Sequence, residues 1–79
     1  EVQLSAQEMR IMAFFMRHPG QILSRSVIAD ACWQDPELIT DNAVEAQVKN
    51  LRKRLACVAA RPRIITRRGL GYVLEANPE

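Results

Sequence analysis

Toward the middle of the chain, Val44, Val48, Leu51, Leu55 and Val58 recur at intervals of four, three, four and three, the spacing that lines up side chains on a 3.6-residue helix. At about 100° per residue all five fall within roughly 40° of Val44. A stripe so narrow has to be covered by other elements. A chain of 79 residues has room for one domain, and a domain of that size buries only roughly 60% of its unfolded surface. The remaining segments must therefore pack directly on this helix. Hydrophobic residues at 48% and charged residues at 25%, with three Gly and four Pro, are the composition of an ordinary globular protein and exclude a disordered or collagen-like chain.

Ser5-Ala6-Gln7-Glu8 has the S-x-x-E spacing of a capping box, in which hydroxyl and carboxylate each satisfy a free N–H at a helix start. A first helix is predicted from about Ala6, with Met9, Met12, Ala13 and Met16 as its stripe, widened by Ile11, Phe14 and Phe15, and with Pro19-Gly20 stopping it after His18. Gln21-Ile22-Leu23 is predicted to run extended. Ser24 then caps a second helix with Val27, Ile28, Ala31 and Cys32 on one face and Trp33 at its end. Gln34 to Thr40, which contains Pro36, reads as a loop. Thr40 or Asp41 caps the third helix, about 41–58. The β-branched run Ile64-Ile65-Thr66-Arg67-Arg68 and its partner Tyr72-Val73-Leu74 read as a hairpin, with Gly69-Leu70-Gly71 supplying the positive-φ positions of the turn. Glu1-Val2-Gln3-Leu4 is a candidate short third strand.

Charge is divided unevenly along the chain. Residues 1–41 hold three basic and six acidic side chains, a net of −3, whereas residues 42–79 hold eight basic and three acidic, a net of +5. The second half carries the footprint of a polyanion binder. Opposite its apolar stripe the third helix presents Asn42, Ala46, Lys49, Asn50 and Lys53, with Gln47 and Arg54 on one edge and Glu45 and Arg52 on the other. Amides and cations around one small residue are what a helix needs to approach base edges and phosphates in a major groove. A merely solvated helix interleaves Glu with Lys, and here only Glu45 answers the cations. Arg52 has two readings, a salt bridge to Glu45 or a phosphate contact.

Other chemistries find little support. One histidine, His18, and two cysteines, Cys32 and Cys57, make no CxxC pair or His/Cys cluster, and no nucleophile, base and orienting group can be assembled from them. Neither catalytic residues, nor a metal site, nor a cofactor is expected. No apolar run approaches the ~18 residues of a membrane span, and Glu1 to Gln7 lacks the regions of a signal peptide. The expectation is a cytoplasmic protein without a membrane partner, its thiols reduced.

Helix, helix-turn-helix and a cationic terminal hairpin, in that order, describe a winged helix-turn-helix: mainly α, a three-helix bundle with a small β-hairpin as C-terminal wing. Leu4-Ser5-Ala6-Gln7-Glu8, Pro19-Gly20-Gln21-Ile22-Leu23-Ser24-Arg25 with Trp33, Val44-Glu45-Ala46-Gln47-Val48-Lys49-Asn50-Leu51-Arg52 with Leu55, and Ile64-x-Thr66-x-Arg68-Gly69-x-Gly71-Tyr72-x-Leu74 together resemble the DNA-binding effector domain of OmpR/PhoB-family two-component response regulators. The resemblance covers nearly the whole chain. It implies one winged-helix domain over 1–79 with the receiver domain of such regulators absent from the chain, and with only Val2 to Leu4 left of a preceding four-stranded sheet.

For function, the resemblance implies sequence-specific double-stranded DNA binding, with the recognition helix in the major groove and the wing, 64–74, at the minor groove. Asn42, Ala43, Ala46, Gln47, Lys49, Asn50 and Lys53 occupy its DNA-facing helix positions and Arg68 its minor-groove position. Arg67 replaces a common aliphatic residue and adds a charge to the wing. Asn42 and Asn50 stand where many members carry Arg. Further implications are a head-to-tail pair of copies on direct repeats and an RNA polymerase contact through 34–40. The alternative function is a winged-helix module whose basic face binds an acidic protein partner such as the transcription machinery.

Overall fold

In the computed structural model, residues 3–56 and 63–75 are described. Three helices run in chain order: α1 (Ala6–Arg17), α2 (Arg25–Cys32) and α3 (Asp41–Ala56). A two-stranded antiparallel hairpin follows, β1 (Arg63–Arg67) with β2 (Gly71–Glu75). The predicted fold is observed, and the local signals explain where each element starts. Ser5 Oγ accepts from the Glu8 N–H at 3.1 Å while the Ser5 N–H donates to Glu8 Oε1 at 2.8 Å, both halves of the capping box. Ser24 Oγ accepts from the Val27 N–H at 3.1 Å. Thr40, rather than Asp41, caps α3, its Oγ1 accepting from the Ala43 N–H at 3.1 Å.

Packing departs from the predicted stripes in the two shorter helices. In α1 the buried residues are Glu8, Ile11 and Phe15, whereas Met9 and Met16 are exposed. At about 100° per residue Glu8, Ile11 and Phe15 lie within roughly 60° of one another and the two methionines roughly 80° or more from each of them. Because α1 is apolar around most of its circumference, periodicity alone does not choose which side is covered. In α2 the covered residues are Ile28, Ala29 and Cys32, and Val27 and Ala31 face outward. The loop from 34 to 40 contains a single 3-10 turn, Pro36–Leu38, whose Leu38 is exposed.

The α3 stripe packs as its spacing predicts: Val44, Val48 and Leu51 are buried and Leu55 partly so, while Val58 and Cys57 lie outside the described residues. These side chains meet Ile11, Phe15, Leu23, Ile28, Ile64, Tyr72 and Leu74 in one core. The hairpin pairs Ile64 with Leu74 and Thr66 with Tyr72. Of the candidate strand Glu1 to Leu4, Glu1 and Val2 lie outside the described residues and Gln3 and Leu4 form no strand; among the described residues, the segment that joins the hairpin is the link between α1 and α2. Leu23 bridges Tyr72 through a pair of hydrogen bonds of 2.7 and 2.9 Å, and the Gly20 N–H donates to the Leu74 carbonyl at 2.9 Å. The extended reading of residues 21–23 is thereby given its purpose, to dock the wing on the bundle.

Candidate nucleic-acid interface

Burial of the Val44 stripe leaves the opposite side of α3 in solvent. Asn42, Ala46, Lys49, Asn50 and Lys53 are exposed, and Ala43 and Gln47 are half-buried at the edge. Among the described residues, the Asn42, Gln47, Lys49, Asn50 and Lys53 side chains hold no hydrogen-bonded or charged partner, so their donors and acceptors are available to a ligand. No carboxylate interrupts this face.

Both edges of α3 are instead tied to the scaffold. On one, Arg54 Nε lies 3.0 Å from the carboxylate oxygens of Glu8, which is otherwise fully buried. The Ser5 N–H, more than Arg54, holds the Glu8 carboxyl below the usual glutamate range, against the upward push of burial. Arg54 is therefore a structural cation and closes the account of a buried acid. On the other edge, Arg52 makes no salt bridge to Glu45: its exposed guanidinium donates to Thr66 Oγ1 of β1 at 3.0 Å. Glu45 pairs with Arg25, whose other guanidinium nitrogen is 3.6 Å from Asp41. Sequence reasoning missed this three-residue cluster, since Arg25 is separated from Glu45 by 20 positions and no local spacing links them.

The wing is positioned by what it buries. Tyr72, Val73 and Leu74 are inside, and the Leu70 N–H closes the turn on the Arg67 carbonyl at 2.9 Å. Gly69 and Gly71 have φ of 77° and 143°, values that favour glycine. Arg68 stands exposed in the turn with no side-chain partner among the described residues, whereas Arg67 is 3.4 Å from Glu75. Between the wing and the first turns of α3 lies an open cleft of about 380 Å³, lined by Ser24, Arg25, Asp41, Glu45, Thr66 and Arg68 among others. Burial is the main reason the phenol of Tyr72, which also lines the cleft, is pushed up in pKa; the Glu45 charge adds to the shift and the Arg25 and Arg52 charges oppose it. The phenol is neutral at physiological pH.

Cys32 is buried, and burial raises its thiol pKa, an environment that makes a thiol inert. His18 caps α1, its ring edge-on to Phe14 at 5.1 Å. Among the described residues no three His, Cys, Asp or Glu side chains come together as metal ligands.

A family model described as "Transcriptional regulatory protein, C terminal" matches residues 1–74. The chain belongs to this OmpR/PhoB-type family of DNA-binding domains. The family consists of transcription-regulator domains rather than enzymes. Similar curated proteins include the transcriptional regulatory protein CusR of Escherichia coli K12, 39% identical over 75 residues that make up 94% of this chain and 33% of CusR. The regulatory protein YvrH of Bacillus subtilis is 34% identical over 79 residues, 99% of this chain and 33% of YvrH. The chain thus spans about a third of the length of the curated relatives it matches. Among solved structures, the DNA-binding domain of the response regulator AdeR, crystallised in complex with an intercistronic region, superposes with a TM-score of 0.85 at 28% identity, over 99% of this chain and 80% of that one.

Proposed function

We propose that this domain reads double-stranded DNA sequence-specifically as the effector part of a two-component transcriptional regulator. The observation that carries the reading is the α3 face: amides and lysines around Ala46, exposed, unpaired among the described residues and free of carboxylates. In a major groove, Gln47, Asn42 and Asn50 would meet base edges, and Lys49 and Lys53 phosphates. The recognition helix is taken as about 41–58 and the wing as 64–74, with Arg68 as the guanidinium at the minor groove and Arg67, already shared with Glu75, as its weaker neighbour. Ala43, at the half-buried edge of the same face, is a close-approach position.

The rest of the proposal concerns the whole protein, of which the chain matches a third in its relatives. Two copies bind head-to-tail on direct repeats, a receiver domain controls them by phosphorelay in the cytoplasm, and the 34–40 segment meets RNA polymerase. The exposed Leu38 supports the last point. Among the described residues no helix is long and apolar enough to cross a membrane.

The test is a titration of labelled duplexes against the chain at several salt concentrations. With four to six of the C-terminal-half cations on phosphates, log K against log salt is expected to slope at about −4 to −5, and a duplex selected from a random library should outcompete its scrambled version. A slope near zero with no sequence preference would refute the reading and leave the acidic-protein alternative.

A further inference from the structure

We propose that Arg25 is a positioning residue for DNA binding that acts through charge: it holds Asp41 and Glu45 in one ion cluster and so cancels half of their negative charge beside the DNA-facing side of α3. The inference rests on the DNA-binding reading above and goes beyond it.

Asp41 and Glu45 are four residues apart, on the α3 edge that borders the presented face; at about 100° per residue Glu45 is only roughly 40° from Lys49. Both carboxylates line the cleft that Arg68 lines from the wing. A duplex that touched Lys49 and Arg68 together would bring phosphates past these two acids. Asp41 is 71% exposed, so burial does not explain the cluster, and exposed ion pairs add little to folding stability.

Nor does local helix stability explain the cation. Arg25 is the first residue of α2, at the positive end of the helix dipole, where a cation is unfavourable. Its side chain crosses instead to α3, one guanidinium nitrogen on Glu45 and the other on Asp41. The cluster carries a net −1 with Arg25 and −2 without it.

The experiment compares Arg25→Ala, Glu45→Gln and the triple variant Arg25→Ala/Asp41→Asn/Glu45→Gln in the 79-residue chain. The probe is a fluorescent duplex enriched by the wild-type chain from a random library, titrated at about 50 and 200 mM salt, with thermal melts checking that each variant is folded. Arg25→Ala should bind roughly fivefold more weakly at the lower salt, the scale of one partly screened charge at about 8 Å, and less so at the higher salt. Glu45→Gln breaks the same ion pair yet should bind tighter by a similar factor. The triple variant should match or exceed the wild type.

A purely mechanical clamp between α2 and α3 predicts the opposite pattern, with both single variants weaker. That result would overturn the proposal, as would a triple variant as weak as Arg25→Ala, which would mean that Arg25 touches the DNA itself. A wild-type chain that enriches no duplex would refute the DNA-binding reading, an outcome recognisable before any variant is made.

Discussion

Replacing Gly71 by alanine tests whether the wing is held by the close backbone approach seen at Leu23. A Cβ on Gly71 would lie 2.2 Å from the Leu23 carbonyl oxygen and 2.8 Å from the Ser24 Cα, and the residue's φ is 143°. Two separate costs follow. The conformation is one that L-residues rarely adopt, worth about 1 to 3 kcal/mol. The backbones must also move apart, which breaks the paired hydrogen bonds between Leu23 and Tyr72, each worth about 0.5 to 1.5 kcal/mol. Together they predict a loss of about 2 to 6 kcal/mol, a large share of the total stability of a small domain. Gly69→Ala is the internal control, because Gly69 also needs a positive φ, 77°, but has nothing within 4 Å of its Cβ position; it should cost only the strain, about 1 to 2 kcal/mol. Urea unfolding followed by circular dichroism measures both. If Gly71→Ala costs no more than Gly69→Ala, the close approach does not hold the wing and the packing argument fails.

The Glu8 carboxyl, held below the ordinary glutamate range by the Ser5 N–H and Arg54, should contribute stability that is fully present above the unfolded value of about 4.3 and is lost as pH falls through the folded one. Glu8→Gln should therefore unfold more easily at neutral pH, by about 1 to 3 kcal/mol, and show a flatter decline on acidification in pH-dependent melts; an unchanged acid limb would exclude the linkage. Lys53→Ala should weaken all duplexes alike, whereas Gln47→Ala or Asn50→Ala should relax preference at particular base pairs by about 1 to 3 kcal/mol, and uniform losses in all three would remove the direct-readout assignment. Arg68→Ala should lose more affinity on sites with A·T-rich flanks than on G·C-rich ones; equal losses would make Arg68 a phosphate clamp, and no loss would place the wing off the DNA. On direct repeats about 10 to 10.5 bp apart, inserting half a turn should abolish binding of the second copy, and unchanged co-occupancy in a mobility-shift titration would show that the copies act independently.

The sequence by itself determined what depends on neighbours along the chain. The Ser5/Glu8 box, the Ser24 cap, the α3 stripe and the glycine-rich turn are satisfied within a few residues, so spacing alone locates the elements, and the phase of α3 alone separates Val44, Val48 and Leu51 from Lys49, Asn50 and Lys53. Tertiary structure decided everything that required a choice between equivalent local options. In α1, apolar around most of its surface, packing selected Ile11 and Phe15 over Met9 and Met16. The same holds for charge: Arg52 and Arg54 look alike beside the presented face, but one meets Thr66 and the other Glu8, 46 residues away. An arginine's long side chain can reach several partners, and only the fold fixes which carboxylate or hydroxyl stands within a hydrogen bond of it. That is why Arg25, Asp41 and Glu45 form a cluster that no reading of intervals along the chain contains.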